Sequence, residues 1–351
     1  MLFLSFTFAY LYYYQADVMT ATQHLLSGGR THYDRTIGAL LITATLFIVH
    51  LGVLAVTRFT YRAHSLSYFP SLLLLAMITG ITINNDGTYS LGWWPWGAPV
   101  LLVLFIVLAS MIRSWLRVNH SIKAGRLSLA TYWHNLLAMC LMFFFVGLTS
   151  NHNDVLHYRL HAEACLAQRD YDGALQVGKN AMACDSNLTL LRIHALARKH
   201  QLGERLFEYP LCGGSSVMMP DGKSVRSVFY PTYQFVKYPA LDYKLCQFLL
   251  DKNIDGFARS IKENAETFGL EERKETDTTV VGDRLPKHYR EALVLYSRLR
   301  SHPVIVYHHD VLDADYEDFL AIARSEKDIT RRGVKLRDAY HNTYWYYYFK
   351  K

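Results

Sequence analysis

"AQRDYDGALQVGKNAMACDS" (167–186) has the composition of a helical hairpin at its bend. "RDYD" (169–172) supplies a polar turn between "VLHYRLHAEACLAQ" (155–168) and "GALQVGKNAMACD" (173–185). Tyr158, Ala162 and Cys165 recur at helical spacing and so share one face of the first segment. Ala174 and Ala181 keep the facing side of the second segment small, so that two helices can approach closely. The pattern predicts an all-α second half. No strand–helix alternation of the kind that builds a parallel sheet is visible there.

Working outward, residues 155–188 resemble one 34-residue tetratricopeptide unit. Ser186 stands where that pattern has proline, and Gly178 where it has a bulky apolar residue. A weaker unit follows in "TLLRIHALARKH" (189–200) and "QLGERLFEY" (201–209), stopped by Pro210. Two further pairs extend the expected stack: 241–253 with 254–269, and 286–300 with 313–326. The interruption at 211–240 carries Pro220-Asp221-Gly222, a turn in which proline presets one dihedral and glycine accepts the positive one. A small hairpin or an ordered loop is expected there, and a polar loop at 270–284. "AYHNTYWYYYFKK" (339–351) offers either a closing helix for the stack or an anchor at a membrane surface. The spacing of Tyr340, Tyr344 and Tyr348 favours the closing helix.

The first half is of another kind. Residues 1–150 hold 8 basic and 3 acidic residues, against 29 and 27 in residues 151–351. Four segments have the length and apolarity of membrane spans: 37–57, 67–83, 98–112 and 135–150. A fifth, 2–14, is short for a crossing. The reading is therefore a polytopic transmembrane helical domain over 1–150 and a soluble α-solenoid over 151–351. Six basic residues fall in the second and fourth inter-span loops (Arg58, Arg62, Arg113, Arg117, Lys123, Arg126) and two in the first (Arg30, Arg35). Basic loops stay in the cytoplasm, so the C-terminal domain is expected on the other face of a bacterial inner membrane, in the periplasm. Trp93, Trp94 and Trp96, in a loop without basic residues, fit an aromatic belt at that outer face. The net +7 of the chain resides mostly in the apolar half, which argues against a nucleic-acid partner.

Chemistry is sparse. The five cysteines form no C-x-x-C pair and are expected as buried thiols. "DGKS" (221–224) lacks the earlier glycine of a phosphate loop, with Val217 in its place. "HHDVLDADYEDF" (308–319) fails as a calcium loop and reads as acids at a helix N-terminus. His157 and His161 lack the intervening glutamate of a zinc-protease helix, and no metal or cofactor is expected. His50 is an ionisable group inside a span, where a hydrogen bond to Thr43, Thr45 or a neighbouring helix would satisfy it. Asp17 and Asp34 are the acids of the first outer loop. They are the candidates for catalysis, with His50, should the chain be a membrane glycan or lipid-linked sugar transferase.

"YLYYYQAD" (10–17), "QHLLSGGRTHYDRTIGALLIT" (23–43), "FFFVGLTSN" (143–151), "YDGALQVGK" (171–179), "GERLFEYPL" (203–211), "LPKHYREALVLY" (285–296) and "NTYWYYY" (342–348) together resemble a family of multi-span inner-membrane proteins of Bacteroidota. Those proteins carry a domain of unknown function and a C-terminal tetratricopeptide-like region. The resemblance implies membrane topology and a helical repeat domain, and no activity. It also implies a groove lined by the first helix of each pair, here Arg159, Glu163, Leu166, Ile193 and Ala197. Glu163 and Leu190 stand where some such grooves carry a basic clamp. The expected function is a membrane-anchored scaffold that holds a protein or peptide of the cell envelope, with membrane lipid around its spans.

Overall fold

A computed structural model describes residues 1–59, 63–84, 88–118, 129–218, 227–229, 241–270 and 284–350. The expected hairpin turn at 220–222 and most of the 270–284 loop lie outside these residues, as do Arg62, Lys123 and Arg126. The described chain is mostly helical and forms two compact units. One comprises Met1–Leu160 with Arg226–Phe229, the other His161–Val225 with Tyr230–Lys351.

The first unit contains α1 (Leu2–Ala9), a π-helical turn (Tyr10–Tyr14), α2 (Ala16–Ser27), α3 (Arg35–Thr57), α4 (Phe69–Thr79), α5 (Trp94–Val118) and α6 (Leu129–Thr149). Three helices are long and apolar enough to cross a membrane: Arg35–Thr57, Trp94–Trp115 and Leu129–Thr149. Among the described residues, the expected segments 2–14 and 67–83 are not carried by helices of that length. The segment 67–83 falls short for a local reason. A 3-10 turn over His64–Tyr68 leads into it, Pro70 fixes the first helical turn, and the helix ends at Gly80. Eleven residues of helix reach only about 16 Å, half of a hydrocarbon core. Instead α4 is enclosed, with Leu72, Leu75 and Ala76 fully buried. Asn151 closes its end, donating its backbone N–H to the Thr79 carbonyl and its side-chain amide to that of Ile81.

The outward faces of α3, α5 and α6 stay apolar and uncovered, as at Ile48, Leu104 and Phe144. The segment 2–14 passes from α helix into the π turn and bends at Gln15, and Phe6 stacks on Phe143 of α6 with ring centroids 3.9 Å apart. Trp93 and Trp96 are exposed, but Trp94 is buried in the core and does not belong to a surface belt. It sits where Gly80 has no side chain: a Cβ there would lie 2.2 Å from the Trp94 Nε1. A two-stranded pairing, β1 (Thr82–Ile83) with β2 (Tyr89–Ser90), closes this corner of the unit.

Helix α7 spans Asp154–Ala167. The second unit continues with α8 (Tyr171–Gln176), α9 (Ser186–Arg198), α10 (Leu202–Arg205), α11 (Leu241–Leu250), α12 (Ile254–Glu263), α13 (Ala265–Phe268), α14 (Lys287–Leu299), α15 (Asp310–Ser325), α16 (Ile329–Tyr340) and α17 (Tyr344–Phe349). The returning helix expected over 173–185 is only six residues long. Val177 turns extended and Gly178 adopts a left-handed φ of +58°. The guanidinium of buried Arg192 then donates to the carbonyls of Gly178 (2.9 Å), Val177 (3.3 Å) and Pro210 (3.0 Å). Glycine at 178 is what permits this break, since a side chain there would be strained. Helix α8 packs against α9, and a complete 34-residue unit is not shown.

Two of the five cysteines are not thiols. Cys184 and Cys212 form a disulfide, with Cα atoms 6.1 Å apart. Cys140, Cys165 and Cys246 are free, and burial pushes the Cys246 thiol up to about 12. Buried thiols were therefore the wrong expectation for this pair. Its partners lie 28 residues apart in sequence.

Candidate functional site

The catalytic candidates are occupied with structure. Asp34 precedes α3, and its Oδ1 accepts from the backbone N–H groups of Thr36 (2.9 Å) and Ile37 (2.7 Å). Such a bond satisfies donors that the first helical turn cannot. Asp17, in the first turn of α2, lies 3.5 Å from the Arg35 guanidinium. His50 is buried, with its ring stacked on Tyr68 at 3.6 Å. Its Nδ1 lies 3.2 Å from the Ser67 hydroxyl. Ser67 spends its one proton on the His64 carbonyl, so the imidazole is the donor. Thr43 and Thr45 are not its partners; the 3-10 turn before α4 is. Replacing Asp34 by alanine is expected to cost about 1 kcal/mol by loss of the cap. Asp17→Ala should cost less than about 1 kcal/mol, because its ion pair is half exposed. Denaturant unfolding of the micelle-solubilised protein measures both.

The five residues expected to line a partner groove do not form an open surface. Arg159, Glu163, Leu166 and Ile193 are buried, and Ala197 is half-buried. The groove that the resemblance implies at these positions is therefore interior in this structure. The acid-rich stretch 308–319 serves α15. His309 caps it by accepting from the Leu312 N–H, and Asp313 pairs with Arg298. Among the described residues no three His, Cys, Asp or Glu side chains converge as a metal-ligand set.

What the second unit does present is a cleft of about 840 Å³. Four stretches far apart in sequence line it: 179–182, 207–214, Lys252, and the C-terminal run from Arg337 to Lys350. Each wall has a local cause. The break after α8 releases Lys179 and Asn180 from helix. Pro210 ends the preceding segment, and the disulfide ties the 207–214 loop to the 179–184 segment. The Cys212 N–H also donates to the Thr189 hydroxyl at 3.0 Å, fixing the loop on α9. Lys252 sits at the α11–α12 turn with a left-handed φ of +58°. The aromatic run is held from behind by Glu291 of α14. Its Oε2 accepts from the Tyr344 N–H (2.7 Å) and the His288 Nδ1 (2.9 Å), while its carbonyl accepts from the Trp345 Nε1 (2.8 Å). Tyr344 and Trp345 thereby face the core, and Tyr346 and Tyr347 face the cleft.

The cleft carries four cations, Lys179, Lys252, Arg337 and Lys350, against two carboxylates, Glu208 and Asp338. Tyr209 lies under three cationic groups: Arg192 at 5.6 Å, Lys179 at 5.7 Å and Arg205 at 5.9 Å from its ring centre. Burial lowers Arg192 to about 10 and raises the Tyr209 phenol. Lys252 donates to the Lys350 carbonyl at 2.7 Å and stands 5.7 Å from the Tyr347 ring. Burial lowers its pKa as well. None of these residues was singled out from sequence as a site. The one available signal was the aromatic tail, whose two expected roles did not include lining a cleft.

Residues 237–351 match the model of a family of unknown function (DUF6057). The match covers Lys252 and the C-terminal wall of the cleft but not the 179–214 walls. No curated protein and no solved structure matches the chain.

Proposed function

We propose that this protein is a membrane-anchored scaffold whose helical unit lies outside the cytoplasm and holds a protein or peptide of the cell envelope. The observation that carries the reading is a cleft of about 840 Å³ with one wall tied by a disulfide. A ligand site of this size needs a pre-formed shape, and a disulfide persists in an oxidising compartment rather than the cytosol. Three apolar helices supply the anchor. The six-to-two bias of basic residues toward the second and fourth loops supports the orientation. It also requires α4 to bring the chain back across. A short helix can do so where protein encloses it, because its ends need no lipid-facing length. The repeat-like hairpins remain part of this reading, as one wall of the cleft rather than as a regular solenoid.

Nothing in the geometry favours the sugar-transferase alternative, since Asp34 caps α3 and Asp17 faces Arg35. Photo-crosslinking in intact cells from Asn180 or His341, both at the cleft, tests the scaffold. One envelope protein captured from both positions, and lost when excess unlabelled partner is supplied, is the expected result. Capture from neither position, with Asp17→Ala or Asp34→Ala abolishing a cell-envelope glycan, would move the assignment to the transferase.

A further inference from the structure

We infer that the ligand of the cleft is a short acidic peptide segment, recognised through carboxylates by Lys252, Arg337 and Lys350. This deepens the scaffold reading and rests on it. Three observations carry the inference.

First, the cations are unequally matched. Glu208 is held by Arg205 at 3.1 Å and Lys179 at 3.7 Å, and Asp338 lies beside Arg337 at 3.3 Å. Among the described residues neither Lys252 nor Lys350 has a carboxylate within ion-pair distance. The Lys252 ammonium instead has a carbonyl and a ring for company, and Lys350 stands 6.0 Å from the Tyr346 ring. An ammonium carries three donors, so each has capacity left for an anion. Burial already strips Lys252 of part of its water, which strengthens whatever anion replaces it.

Second, the rings are poorly placed to receive a sugar. Tyr209 is covered by three cations, and Tyr347 is enclosed between Lys252 and Phe207, whose centroid is 4.8 Å away. The Tyr347 hydroxyl is spent on the Leu250 carbonyl. These two rings hold cations in position and offer no open platform for a pyranose face.

Third, the opposite wall has peptide-like chemistry. It includes the Asn180 amide, which offers a donor and an acceptor to a passing peptide group. The volume suits a drug-sized ligand, on the order of four residues of peptide.

The test uses the full chain in detergent micelles and the anisotropy of fluorescein-labelled tetraglutamate and tetraglutamine peptides. Saturable binding of tetraglutamate is expected, weakened by salt, with tetraglutamine at least about tenfold weaker. The double variant Lys252→Gln/Arg337→Gln should lose about tenfold in affinity for tetraglutamate. The charge-conserving pair Lys252→Arg/Arg337→Lys should keep most of it, and a thermal melt of each variant separates lost binding from lost fold. Equal affinity for the two peptides overturns the inference, as does an unchanged affinity in the folded double variant. Tighter binding of tetragalacturonate than of tetraglutamate would reassign the cleft to acidic glycans. An envelope protein crosslinked at Asn180, together with no preference for the acidic peptide, would sink this inference alone and leave the scaffold standing.

Discussion

Trp345→Ala is expected to destabilise the helical unit by about 4 kcal/mol, near the upper end for a large core side chain. Trp345 is buried against Tyr316 (5.2 Å), Phe319 (6.4 Å) and Tyr340 (6.5 Å). Its loss empties that site and leaves the Glu291 carbonyl without its indole donor. For a unit of this size the midpoint of thermal unfolding should fall by roughly 8–16 °C. Trp345→Phe, which keeps a ring but not the N–H, should cost less than half as much. The same pair decides what the aromatic tail is. A membrane anchor would lose vesicle binding with little change in melting, whereas the packed helix loses melting temperature and keeps its partition.

Reduction of the Cys184–Cys212 bond is the second large effect. Closing a loop between residues 28 apart restricts the unfolded chain by about 3–4 kcal/mol in the chain-entropy account. Dithiothreitol, or Cys184→Ser, should therefore lower the melting midpoint by roughly 6–16 °C. It should also weaken any cleft ligand, because the 207–214 wall is tied by this bond. Thiol titration of the denatured, unreduced protein should find three groups, Cys140, Cys165 and Cys246. Five groups would remove the bond from the account.

The apolar half and the helical half were each legible as a kind of chain, because amphipathic and apolar periodicity are local properties. Individual spans were less so. Residues 67–83 are as apolar as their neighbours, yet Pro70 and Gly80 bracket a helix too short to cross alone. The helical character of 155–176 was readable from its spacing, and Gly178 stood out as a departure that the structure turns into a break. A resemblance could assign Glu163, Leu166 and Ile193 to a groove, but helical spacing carries no sign for inside or outside. Their face became the core. Trp94 shows the same limit, since one missing Cβ at Gly80 draws a single tryptophan of three inward. The cleft left the least trace. Lys179, Lys252, Arg337 and Lys350 come from four separate stretches, and the disulfide joins cysteines that no short motif connects. Long-range closure of this kind depends on how helices pack, which pair spacings along the chain do not encode.

The proposed scaffold requires the disulfide-bearing unit to lie outside the cytoplasm. Alkaline phosphatase fused after residue 200, past α9 and short of the cleft's later walls, measures this directly in a bacterial host. The enzyme folds only where disulfides form, so an active fusion, with a cytoplasmic reporter silent at the same point, is the predicted result. An inactive phosphatase with an active cytoplasmic reporter would contradict it.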